Sequence, residues 1–241
     1  MVELLKDAKK LKKFKVLVGT PHADVKNYCL DNYISTVKGL TYDNYDILVV
    51  DNSETTKNQK EIRKQGIPCQ HIKRKNKSTR QLMAEASEIL REHTLKGGYD
   101  FLLFYESDLT SPPNVIERLL SHQKQVVSGA YFINHGAKSH LMVQEIESHL
   151  TGIRETINMK EGTDVKYMDG KLHEVYACGL GMCLIHRSVL EQITFGYMEH
   201  VDAHPDTFFA HDLNQLGIKQ FLDTSIMCEH DNREWALIEN K

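Results

Sequence analysis

Glu106, Ser107 and Asp108 close the apolar run Phe101-Leu102-Leu103-Phe104-Tyr105, and Pro112-Pro113 follow almost at once. The run reads as a buried strand with two carboxylates at its carboxyl end. Side chains alternate along a strand, so Glu106 and Asp108 are expected on the same face. In an open α/β sheet, ligands bind beyond the carboxyl ends of the strands. Two hard oxygen donors there suit Mg²⁺ or Mn²⁺ held against a diphosphate. On these three residues alone a plainer reading stays open, in which the carboxylates only cap a helix that starts near Pro113.

The elements that would position such a pair alternate along the chain. Strands are expected at Phe14–Val18, Asp46–Val50, Ile67–Ile72, Phe101–Tyr105 and Val126–Phe132, with Gly19-Thr20-Pro21 breaking the first. Helices are expected at Val25–Val37, Thr56–Lys64, Thr79–His93 and Val115–His122. This order implies an α/β fold with a mostly parallel central sheet flanked by helices. The stretch His140–Val175 reads as short antiparallel or irregular pieces. A glycine-bearing apolar strand follows at Ala177–Arg187, and then a helix from a Ser188 cap. Pro205–Leu216 is a helix stopped by Gly217, and Phe221–Met227 a last strand. Leu4, Leu5, Ala8 and Leu11 recur at helical spacing among lysines, giving a basic amphipathic helix over residues 1–13. No repeat or Pro/Gly/Ser-rich linker interrupts residues 14–241, which read as one domain with a first half near 14–110 and a second near 111–241.

Composition narrows the classes. A length of 241 residues allows one large α/β core. A net charge of −3 gives no general attraction for nucleic acid. No run approaches the ~20 apolar residues of a membrane span, and the basic start lacks the apolar stretch of a signal peptide. Five cysteines with no C-x-x-C pair suit reduced thiols and a cytoplasmic location. Thirteen histidines invite a zinc hydrolase, but no H-E-x-x-H occurs. Nor does the first strand run into the G-x-G-x-x-G of a dinucleotide fold.

Five segments in order carry a resemblance: Val16–Pro21; Ile47–Ser53 with its terminal Asp51; Phe101–Asp108; Gly179–Arg187; and Pro205 through Gly217, followed by Asp223 and His230. Together they resemble the GT-A fold glycosyltransferases, especially the family 2-like group. The likeness covers nearly all of the chain beyond residue 14. It implies a single GT-A-type domain with a nucleotide-binding half and an acceptor half. Two positions depart from the family pattern. Glu106 stands where the D-x-D metal motif has its first aspartate, and Pro205 stands where a glutamate usually precedes the helix aspartate.

The resemblance also implies roles. A metal-dependent transferase would move a sugar from a nucleotide-diphosphate donor, most simply a UDP-sugar, to an acceptor hydroxyl with inversion. Glu106, Asp108 and His230 would hold Mn²⁺ or Mg²⁺, which neutralises the leaving diphosphate. Thr20, Pro21, Asp51, Arg80 and Ser107 would contact the donor, with Arg80 beside the diphosphate after the basic run Lys73–Lys77. Asp206 would take the acceptor proton, with Asp212 the rival base. The acceptor stays open between a glycan, a lipid-linked sugar, a protein and hydroxymethylated bases of DNA. Two other classes also remain: a sugar-nucleotide nucleotidyltransferase, which would want a glycine-rich basic loop after the first strand, and a non-catalytic nucleotide-sugar binder, which would need no base.

Overall fold

The computed structural model describes residues 14–135, 138–144, 164–199 and 204–231. The expected basic helix over 1–13 and part of the irregular stretch after His140 lie outside the described residues. In chain order, β1 (Val16–His22) leads through a 3-10 turn (Asp24–Cys29) into α1 (Leu30–Lys38). Next come β2 (Tyr45–Asp51), α2 (Lys57–Lys64), β3 (Cys69–His71) and α3 (Thr79–Lys96). β4 (Phe101–Tyr105) and the short β5 (Leu109–Thr110) flank the carboxylates, and α4 (Val115–Ser121) and β6 (Val126–His135) follow. The rest comprises β7 (Lys138–Leu141), β8 (Val143–Gln144), β9 (Leu172–Val175), β10 (Ala177–Cys178), β11 (Met182–His186), α5 (Arg187–Leu190), α6 (Pro205–Gln215) and β12 (Gln220–His230).

The main sheet runs β3-β2-β1-β4-β11-β6-β12-β5. From β3 to β12 only β11 runs against the others, pairing antiparallel with both β4 and β6. A separate antiparallel pair joins β8 to β10. The result is a mixed α/β fold of GT-A type, with a large, mostly parallel sheet flanked by helices. Both faces of the sheet are covered, which explains the unbroken apolar runs. Val16 and Val18 pack into one layer with Tyr33 and Val37 of α1, whereas Leu17 enters the other with Leu82 and Leu90 of α3. β4 splits likewise: Phe101, Leu103 and Tyr105 face the first layer, Leu102 and Phe104 the second. Burying each such side chain contributes roughly 1.5–3 kcal/mol. That anchorage holds the carboxyl end of β4 in place.

Three expectations shift. β1 does not stop at Gly19-Thr20-Pro21 but pairs with β2 as far as His22–Asp51. Its pairing with β4 ends at Gly19, so Pro21 sits where β1 has one neighbour, a place that tolerates a missing N–H. The helix expected over Val25–Val37 is divided, with a 3-10 turn up to Cys29 and α-helix only from Leu30. The helix after β11 is capped by the His186 side chain, which accepts from the Ser188 N–H.

Candidate active site

β4 ends at Tyr105, so Glu106 and Asp108 lie on a turn rather than on strand alternation. The Leu109 N–H closes that turn on the Glu106 carbonyl at 3.1 Å, and the Glu106 N–H reaches the Gly181 carbonyl at 2.8 Å. The turn still gathers the two carboxylates, for a different local reason than pleating. The capping reading lapses, because α4 is headed by Asn114. β5 then pairs with the end of β12, with Leu109 opposite His230. The Asp231 N–H bonds the Asp108 carbonyl at 2.8 Å. One ligand atom from each of Glu106, Asp108 and His230 falls within 4.8 Å of the other two.

The chemistry of this cluster fits a divalent cation. His230 Nδ1 lies 2.8 Å from the Phe132 carbonyl, to which it must donate, and this turns Nε2 toward Asp108 Oδ2 at 3.4 Å. Fixing one ring nitrogen in this way presents the other as a ligand. Asp108 Oδ1 is buried and has no hydrogen-bond partner among the described residues. A native carboxylate oxygen left in that condition calls for a missing partner. Two oxygens and an imidazole nitrogen suit Mn²⁺ or Mg²⁺.

One neighbour escaped sequence reasoning. Lys26, on the 3-10 turn, places Nζ 3.0 Å from Asp108 Oδ2 and 3.7 Å from Glu106 Oε2. Burial works against the Asp108 anion. Lys26 and His230 overcome it and hold the carboxyl below the ordinary carboxylate range. Burial likewise lowers His230, but Asp108 more than offsets this and raises its pKa.

A polar chain, buried except at Asn27, joins the metal turn to β2. Ser107 Oγ lies 2.9 Å from His22 Nδ1, and His22 Nε2 lies 3.2 Å from Asn27 Oδ1. Asn27 and Asn58 exchange reciprocal amide bonds, and Asn58 Nδ2 donates to Ser53 Oγ. Ser53 in turn donates to Asp51 Oδ1 through both its backbone N–H and its hydroxyl. Burial lowers the His22 pKa, which favours the neutral ring. Asp51 is fully buried, and its Oδ2 has no hydrogen-bond partner among the described residues. Beside it, a cleft of about 400 Å³ is lined by Glu54, Thr56, His71, Lys73, Arg74 and Lys75, with His71 Nε2 bonded to the Ser53 carbonyl.

The remaining candidates separate. Thr20 is fully buried, and its hydroxyl is engaged with Tyr33 at 2.6 Å, so it faces the core. Pro21 is partly exposed at the end of β1. Arg80 lies in the first turn of α3, whose start is closed by a capping box of Ser78 and Gln81. Asp206 stands in the first turn of α6 and accepts from the Thr207 N–H at 2.8 Å. Desolvation raises its pKa, and the Glu106 charge adds to the rise. Asp212 is six residues on, about 120° around the helix. It borders a different cleft, with Arg91, Glu191, Gln192 and Thr194.

The glycine strand has its own logic. A Cβ at Gly179 would lie 2.1 Å from Tyr131 Oη, and one at Gly181 would lie 2.7 Å from it. That oxygen accepts the Gly181 N–H at 3.2 Å, and the Tyr131 ring packs edge-on against His230 at 5.5 Å. The two glycines thus let Tyr131 support both the β10–β11 connection and the histidine.

A model of glycosyl transferase family 2 matches residues 27–194. The matched stretch includes Asp51, Arg80 and Glu106–Asp108 and ends before Asp206, Asp212 and His230. No curated protein matches the chain. Among solved structures, "Crystal Structure of A197 from STIV" is similar over 90% of this chain and 85% of that one, at 18% identity and a TM-score of 0.50. At that identity the likeness concerns the fold.

Proposed function

The chain belongs to glycosyl transferase family 2, and from that membership we propose that it transfers a sugar from a UDP-sugar to an acceptor hydroxyl, with inversion and with the help of a bound divalent ion. The observation that carries this reading is the cluster of Glu106, Asp108 and His230. Family membership itself supports a nucleotide-sugar donor and a glycosyl acceptor.

The donor would lie along the carboxyl ends of β1, β2 and β4. Asp51 Oδ2 is a buried lone acceptor, and uracil offers a single imide N–H to fill it. Arg80, at the positive end of α3, would meet the diphosphate. Glu106, Asp108 and His230 would hold Mn²⁺ or Mg²⁺, which supplies charge neutralisation for the departing diphosphate. Asp206 would take the proton from the acceptor hydroxyl as that oxygen bonds to the anomeric carbon. The anomeric carbon–oxygen bond breaks on the opposite side, and its electron pair leaves with the nucleoside diphosphate. A carboxylate whose pKa is raised by burial is a stronger base than an exposed one. Attack opposite the leaving group gives inversion.

Five buried, unpaired cysteines suit the reducing cytoplasm. No described helix is long and apolar enough to cross a membrane.

The test is hydrolysis of UDP-sugars by the purified protein with Mn²⁺, with Mg²⁺ and in excess EDTA, followed by anomeric analysis of the transfer product. Sugar release at equal rates in EDTA would exclude the metal role, and a product of retained configuration would exclude the Asp206 role.

A further inference from the structure

Lys26 lies where a lysine is least expected if the neighbouring carboxylates serve a cation. Its side chain is only 14% exposed, and its ammonium spans Glu106 Oε2 at 3.7 Å and Asp108 Oδ2 at 3.0 Å. Asp108 itself is sealed from bulk solvent, so neighbouring groups carry most of the balance of its charge. The 3-10 turn that carries Lys26 is fixed just after it, through Asn27, Tyr28 and Cys29. Asn27 joins the Ser107–His22 chain, and Cys29 Sγ donates to the Lys26 carbonyl. The Tyr28 hydroxyl bonds the Asp231 carbonyl, next to His230. The backbone under Lys26 is therefore held, while its four-carbon stem can change rotamer. A divalent ion held by Glu106 and Asp108 would draw on the same two carboxylates that the ammonium contacts. Two cations on one pair of carboxylates repel within a medium of low dielectric.

We propose that Lys26 is a resident counter-cation of the metal site: its ammonium bridges Glu106 and Asp108 while no divalent ion is bound and leaves that bridge when one binds. The proposal rests on the reading of Glu106, Asp108 and His230 as ligands of a divalent ion. Lys26 thereby offsets part of the negative charge of the two carboxylates, and it sets how weakly the site takes up metal. Since it neutralises the same two carboxylates, removing its charge while keeping its length should strengthen metal binding.

The experiment measures Mn²⁺ binding alone, without nucleotide, from the electron paramagnetic resonance signal of free Mn²⁺. Wild type, Lys26→Met and Lys26→Arg are compared. Lys26→Met should bind Mn²⁺ at least tenfold more tightly than wild type, and Lys26→Arg no more tightly. The metal-free Tm of Lys26→Met should fall below that of wild type, and Mn²⁺ should restore it. Should Lys26→Met not fold without metal, the wild-type protein provides the readout. In lysine-labelled protein, the side-chain signal of Lys26, assigned with Lys26→Arg, should shift as Mg²⁺ fills the site. Mn²⁺ binding by wild type with an equal or weaker affinity in Lys26→Met overturns the proposal and leaves the metal site standing. So does a Lys26 signal that stays unmoved at Mg²⁺ saturation. No Mn²⁺ binding by wild type or by Lys26→Met overturns both.

Discussion

Asp206→Asn should separate catalysis from stability in opposite directions. Asparagine keeps the size of the side chain and can still accept the Thr207 N–H, which Asp206 Oδ1 accepts at 2.8 Å. It cannot take a proton from an acceptor hydroxyl. A positioned general base contributes about 10²–10⁴ in rate, which corresponds to about 3–5 kcal/mol of barrier. kcat should fall by that factor. The donor KM should change little, because a group acting only in the transition state does not support ground-state binding. Stability should move the other way. Burial, with the Glu106 charge adding to it, raises the Asp206 pKa in the folded protein. A raised carboxyl pKa contributes stability below the unfolded value, and that contribution is lost as pH rises through the folded value. The folded protein therefore loses stability as the pH rises toward neutral, a loss that Asn at this position does not suffer. Tm of Asp206→Asn should exceed that of wild type at pH 7, and the gap should close as the pH is lowered toward the ordinary carboxylate range. The assays are steady-state transfer kinetics and calorimetric melts across pH, with Asp212→Asn, on the outward cleft, as the control expected to leave kcat within about twofold. A kcat for Asp206→Asn within threefold of wild type would refute the assignment, and a larger loss in Asp212→Asn would move the base there.

Asp108→Asn should remain folded yet lose most activity and most Mn²⁺ affinity, checked by circular dichroism and titration. Asp51→Ala should weaken UDP binding by about 10–150-fold, the value of a hydrogen bond to a charged group at 1.5–3 kcal/mol, measured by calorimetry. Unchanged affinity would remove the uracil contact. Gly179→Ala forces a methyl group to within 2.1 Å of Tyr131 Oη. Overpacking of this kind costs about 1–3 kcal/mol, and Tm should drop by about 2–4 °C for each.

The parts of this fold that announce themselves in sequence are those set by local pattern. The run Phe101–Tyr105 is apolar on both faces because it is buried on both, and it delivered the carboxylates to a strand end. Pro205 at the first position of α6 marked the start of the helix that carries Asp206. Non-local pairing left no such trace. Ala177–Arg187 reads as one strand, yet the structure divides it into β10 and β11 in different sheets, and nothing in it says that β11 inserts antiparallel between β4 and β6. Lys26 was equally silent. It is one of 30 basic residues, and only the 3-10 turn folding across the end of β4 makes it a partner of Asp108. His230 came into view through family likeness alone, since its placement depends on β12 meeting β5. Thr20 fits the family segment, yet its hydroxyl is turned to Tyr33.

The insertion of β11 has a consequence on the ribosome. β4 ends at Tyr105, but the strand that covers its free edge begins only at Met182. At 5–20 residues per second, that edge waits about 4–15 s for its partner. During this interval the nascent chain presents Phe101–Tyr105 as an apolar strand with one row of unpaired backbone groups, a template for pairing with another chain. Chaperone occupancy should therefore peak while residues between β4 and β11 are being made, and truncations ending before Met182 should aggregate rather than yield a detachable nucleotide-binding half.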